Sequence, residues 1–198
     1  MARILIVGGG CRGRRFAARM VEHGHALRVT TRSEHGRAAI EACGAECWIG
    51  TPDRLATLRG ALENVTIACW MLAGASGQPD DVAVLHSSRL QFFLGQAIDT
   101  TVRGFLYDAW PAGGGFGGSG DSGGLRGVSC EVLAGGERIV RSLTQLNAIP
   151  VAVLDPETSR GEVAAGAAGP RKRDDDDAWV DAACAAVDSL LGGQARAD

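Results

Sequence analysis

Residues 3–13 read Arg3-Ile4-Leu5-Ile6-Val7-Gly8-Gly9-Gly10-Cys11-Arg12-Gly13, and this stretch decides the fold. Ile4 to Val7 form a short apolar run of the kind that a buried strand needs. Three glycines follow at the spacing Gly8-x-Gly10-x-x-Gly13. Beyond them, Arg14 to Glu22 place apolar residues at helical intervals, with Phe16, Ala17, Met20 and Val21 on one side. Strand, glycine turn and helix are the context in which this spacing has a physical meaning. Gly8 permits the tight turn, Gly10 lets backbone approach a pyrophosphate, and Gly13 lets the helix pack against the strand. An anion at the helix start is favoured by unpaired N–H groups and the helix dipole.

Working outward, strand and helix patterns alternate along the chain. Strands are expected at Leu27–Thr31, Ala45–Ile49, Val65–Met71, Gly104–Tyr107 and Pro150–Leu154. Helices are expected over 34–42, 54–62, 82–98, 130–147 and 178–191. The near-continuous apolar character of Val65–Met71 suits a central parallel strand covered on both faces. Six strands alternating with six helices predict an α/β fold: a doubly wound parallel sheet of Rossmann type with helices on both faces. Right-handed crossovers and the position of the glycine turn favour the strand order 3-2-1-4-5-6. The chain of 198 residues reads as a single domain over 1–198. Eight glycines among residues 113–124 predict a mobile loop spanning 111–128. A polar linker is expected over 168–177, with Asp174 to Asp177 complementing the dipole of a C-terminal helix.

The net charge is −3, which favours neither nucleic acid nor an anionic membrane as partner. No apolar run reaches the ~18 residues of a membrane span, and no signal-peptide pattern opens the chain, so a cytoplasmic location is expected. Six cysteines are present without a Cys-x-x-Cys pair, and they read as free thiols; no metal site is expected. Cys11 stands apart because it lies in the glycine turn. Nineteen of the twenty basic residues are arginine, and the one lysine is Lys172.

The pattern resembles the atypical and extended branches of the short-chain dehydrogenase/reductase superfamily. The likeness rests on Gly8-Gly-Gly-Cys-Arg-Gly13, Glu22-His-Gly-His25, Gly44-Ala-Glu46, Gly50-Thr-Pro-Asp53, and Leu58 to Glu63 leading into Val65 to Ala75. Pro156 after strand six fits it too, and the likeness is poor over 111–148. The resemblance implies a nicotinamide dinucleotide cofactor. It places Gly8, Gly10, Cys11, Arg12 and Gly13 at the pyrophosphate, and the end of strand two, Arg32 and Ser33, at the adenosine ribose. Thr51 stands where the family often has an adenine-facing aspartate. Ala73 and Gly74 would lie close against the cofactor. With Thr31-Arg32-Ser33 and no acid before Glu34, the ribose end suits the 2′-phosphate of NADP, with NAD as the alternative. Arg12 would add a second positive charge.

The family's proton-transfer pair, Tyr-x-x-x-Lys, is missing. The only tyrosine is Tyr107, and Pro111 stands four residues on. Tyr107 reads as a packed strand aromatic, and His86 as a helix-capping or solvent-facing residue. Asp108 and Asp155, at the ends of strands five and six, are the candidates for acid–base work if burial raises their pKa. Only 44 residues follow strand six, so any substrate is expected to be a small molecule. Two readings stay open: an NADP(H)-dependent oxidoreductase lacking that pair, and a non-catalytic dinucleotide-sensing protein, with a homodimer compatible with either.

Overall fold

The structure is a computed structural model that describes residues 1–111, 128–156 and 172–194. Six strands form one parallel sheet: β1 (Arg3–Val7), β2 (Ala26–Thr31), β3 (Glu46–Ile49), β4 (Ile67–Trp70), β5 (Gly104–Asp108) and β6 (Val151–Leu154). Their order is β3-β2-β1-β4-β5-β6, as the element pattern predicts. Register places Ile6 beside Val29, Val7 beside Trp70, and Trp70 beside Tyr107. All six carboxyl ends therefore reach the same edge of the sheet.

The alternation of side chains within β1 explains the two cores. Ile4 and Ile6 face one layer with Phe16 and Met20 of α1 (Cys11–Glu22) and with Val180, Ala183 and Val187 of α6 (Lys172–Gln194). Leu5 and Val7 face the other layer with Phe93 and Leu94 of α4 (Ser88–Ile98) and Val140 of α5 (Cys130–Leu146). A parallel sheet buried on both faces needs such continuous apolar strands. β4 and β5 meet that need, with every residue buried.

Several local expectations are corrected. The helix expected over 34–42 starts as a 3-10 turn, Glu34–Gly36, and becomes α2 only at Arg37–Glu41. The helix expected over 54–62 is two 3-10 turns, Leu55–Leu58 and Gly60–Leu62. Its break has a visible cause. The buried guanidinium of Arg28 takes the Ala61 carbonyl at 2.7 Å, and Gly60 sits tight under the Trp48 ring, where a Cβ would come within 3.0 Å. The helix expected over 82–98 is divided into α3 (Pro79–Leu85) and α4, because His86 turns inward between them.

The C-terminal helix begins six residues earlier than expected, at Lys172, so residues 172–177 are helix and not linker. Asp176 and Asp177 form ion pairs with Arg12 and Arg15 of α1 instead of capping a helix at Ala178. The glycine-rich segment expected as a loop, 113–124, lies outside the described residues, as do residues 168–171 of the expected linker. Among the described residues no helix is long and apolar enough to cross a membrane.

Candidate functional site

The glycine turn joins β1 to α1 at the carboxyl edge of the sheet. Gly8 has φ +117°, a conformation that side chains disfavour, and a Cβ there would lie 2.3 Å from the Met71 carbonyl oxygen. A Cβ on Gly13 would lie 2.4 Å from the Gly8 carbonyl oxygen, so helix and turn touch backbone to backbone. Thr30 fastens the turn from β2, its Oγ1 accepting the Gly8 N–H at 3.2 Å. Gly10 differs from both. Among the described residues a Cβ there would meet nothing within 4 Å, so the space above it is open. The first turn of α1 starts beside that space and carries no acidic residue.

The space is one end-to-end cavity of about 620 Å³ along the sheet edge. That volume is within the usual range for small-molecule sites. Gly8, Gly10, Cys11, Arg12 and Gly13 form its floor, with Arg32 and Thr51 at the β2/β3 end and Gly74 and Asp108 at the β4/β5 end. The structure thus gathers eight of the ten residues expected to hold a cofactor. Ser33 does not line the cavity, and Ala73 is buried behind it. Asp155 is half-buried at the end of β6, away from the walls. Arg32 is exposed at the rim. Thr51 donates its hydroxyl to Asp53 Oδ2 at 3.1 Å, which holds that carboxylate on the same wall.

Asp108 ends β5 inside the cavity wall and is only 3% exposed. Its Oδ1 accepts the Trp110 backbone N–H and the Trp179 Nε1–H, each at 3.1 Å. Burial pushes its carboxyl up to about 7, opposed by the Trp179 and Trp110 donors, the charge of Arg12 and the backbone N–H of Ala73. A carboxyl so poised can give or take a proton near neutrality.

Trp179 and Asp176 belong to α6, far away in sequence, yet both line the cavity. Arg12 bridges them. Its Nε donates to Asp176 Oδ1 at 2.5 Å, and its guanidinium lies over the Trp179 ring, 5.8 Å from the centroid. Sequence reading missed this wall. A signal existed in the charge spacing: Arg12, Arg15 and Arg19 lie on α1, and Asp176, Asp177 and Asp181 lie on α6, matching pair for pair.

Tyr107 is fully buried on the opposite face of β5. Its hydroxyl lies 2.7 Å from His86 Nδ1 and 3.2 Å from the Leu133 carbonyl oxygen. His86 Nε2 lies 3.3 Å from the Leu72 carbonyl oxygen. Both carbonyls can only accept and the hydroxyl carries one proton, so the direction of the His86 Nδ1–Tyr107 contact follows the imidazole tautomer. Burial holds the His86 pKa down to about 4 and raises that of Tyr107. His86 is therefore a neutral core residue, where the sequence suggested a cap or a solvent-facing side chain. Tyr107 is the packed strand aromatic that was expected.

No family model and no curated protein matches the chain. Solved structures do. A UDP-glucuronic acid 4-epimerase from Bacillus cereus in complex with NAD is 13% identical with a TM-score of 0.57, over 76% of this chain and 54% of that one. A short-chain dehydrogenase/reductase superfamily protein from Agrobacterium tumefaciens with bound NAD is 21% identical with a TM-score of 0.58, over 76% and 48%. The UDP-glucose 4-epimerase of Thermotoga maritima is 15% identical with a TM-score of 0.59, over 76% and 54%. The chain has the Rossmann fold of short-chain dehydrogenase/reductase structures. It spans about half the length of these matches.

Proposed function

We propose that the chain binds a nicotinamide dinucleotide, NADP(H), across the glycine turn and acts as an oxidoreductase on a small molecule. The observation that carries this reading is the open, acid-free start of α1 above Gly10, set within a cavity that runs from β2 to β5. Pyrophosphate suits that start, because N–H groups and dipole favour an anion there. Arg32 would read the 2′-phosphate at the ribose end, where β2 supplies no carboxylate. The solved neighbours with NAD support the cofactor class. The bound cofactor supplies hydride transfer, and Asp108 is the chain's group for proton exchange at the opposite end.

Gly10→Val tests the site. A Cβ at Gly10 meets no described atom within 4 Å, so the substitution adds bulk to the pyrophosphate space without a clash at Cβ. NADPH should raise the melting temperature of the wild type and not of the variant; equal protection of both would remove the cofactor from this turn. Arg32→Ala should weaken NADPH by about ten- to a hundredfold and leave NADH unchanged. Tighter binding of NADH than NADPH by the wild type would reverse the cofactor preference.

The sealed position of Tyr107 favours a second reading, a dinucleotide sensor without turnover. NADPH oxidation assayed with quinones and flavins separates the two: binding without any oxidation supports the sensor.

A further inference from the structure

We propose that Arg12 recognises an anionic group on the substrate, and that Asp176 stands in for that anion until it arrives. The site would therefore take a small acidic substrate, one bearing a carboxylate or phosphate. This rests on the dinucleotide reading only for direction: with the adenosine end at β2 and Arg32, the substrate end lies at β5.

Among the described residues three ion pairs join α1 to α6, and they are not alike. Arg15–Asp177 and Arg19–Asp181 are outside the cavity, with side chains 43% to 67% exposed. Such pairs are well solvated and hold little energy. Arg12–Asp176 lines the cavity, with side chains only 16% and 22% exposed. Trp179 covers one face of the guanidinium. Arg12 also stands near Asp108, whose ionisation its charge favours.

A half-dry guanidinium needs a negative partner, because an uncompensated buried charge is costly. Asp176 supplies one from the chain itself. An incoming carboxylate or phosphate replaces it with the charge balance preserved, whereas a neutral ligand cannot take over that charge. Asp176 can leave without undoing α6, since Trp179, Val180, Ala183 and Val187 anchor that helix in the core. The pair thus excludes neutral molecules and yields to anions, which is selection by rejecting the wrong ligand.

Malonate and its neutral counterpart malonamide are suitable probes, with and without NADPH. In the wild type, malonate should shift the Arg12 Nε–H resonance in a saturable way and malonamide should not. The resonance is identified by its loss in Arg12→Gln. Asp176→Asn should bind malonate about tenfold more tightly and Arg12→Gln should lose it. An unmoved Arg12 resonance in the wild type would overturn the proposal. So would an Asp176→Asn protein that gains affinity for NADPH and not for malonate, since Arg12 would then serve the cofactor pyrophosphate. Failure of NADPH to bind the wild type would sink the cofactor reading alone; malonate binding without cofactor still decides this one.

Discussion

Tyr107 and Asp108 are neighbours in β5, both buried and both titratable, yet they meet opposite layers of the molecule. Tyr107 points into the layer of α4 and α5, where His86 and Leu133 surround its hydroxyl. Asp108 points to the α1 and α6 side, where it forms part of a cavity wall. The period of two in a strand makes this separation unavoidable. Tyr107 is the only tyrosine of the sequence, and its hydroxyl is sealed in the core. Asp108 is the one that a ligand in the cavity can reach.

Turnover should separate them most strongly. Asp108→Asn keeps an acceptor for Trp110 and Trp179 but loses the exchangeable proton, and any NADPH-dependent reduction should fall by about 10²- to 10⁴-fold. Tyr107→Phe should retain most of it. A thousandfold loss in Tyr107→Phe, with folding and cofactor affinity intact, would reverse the assignment.

Packing around the sealed side can be broken directly. A Cβ at Gly136 would lie 2.1 Å from the Tyr107 hydroxyl and 3.1 Å from the His86 carbonyl oxygen. Gly136→Ala should therefore destabilise the chain by ~1–3 kcal/mol in urea unfolding, despite the better helix propensity of alanine. A neutral result would mean that α5 can shift away from β5.

The two sides also differ in the sign of their pH linkage. Asp108 keeps a proton up to about pH 7 in the folded chain and only to about 3.8 when unfolded. Its contribution is thus fully present below pH 3.8 and is lost as pH rises through 7, at up to ~1.4 kcal/mol per pH unit. His86 acts the other way. Its folded pKa near 4 lies under its ordinary 6.5, so its contribution is present above 6.5 and lost as pH falls through 4. The two slopes oppose each other between pH 4 and 6.5. Unfolding of Asp108→Asn against pH should expose the His86 slope alone, with stability rising from pH 4 to 6.5; an unchanged profile would place Asp108 in contact with bulk water.

The smallest effect concerns one hydroxyl. Tyr107→Phe leaves His86 Nδ1 and the Leu133 carbonyl buried without their hydroxyl partner and should cost ~1–2 kcal/mol of stability. No cost would show that water reaches His86.

The sequence by itself determined the sheet and its order, because Ile4–Val7, the glycine spacing and the recurring apolar runs each state a local preference that the fold satisfies. It also determined the floor of the cavity, since Gly8 and Gly13 stand where backbone leaves no room for a side chain. Helix integrity around 54–62 and 86–87 was decided by tertiary structure. There a buried arginine captured a carbonyl and a histidine found a tyrosine, and no local pattern encodes either partner. The same holds for the far wall of the site. Asp176 and Trp179 reach Arg12 and Asp108 only because β6 returns the chain to the α1 side of the sheet. The charge spacing of α1 and α6 shows that the two helices could match, but topology and packing decide that they meet.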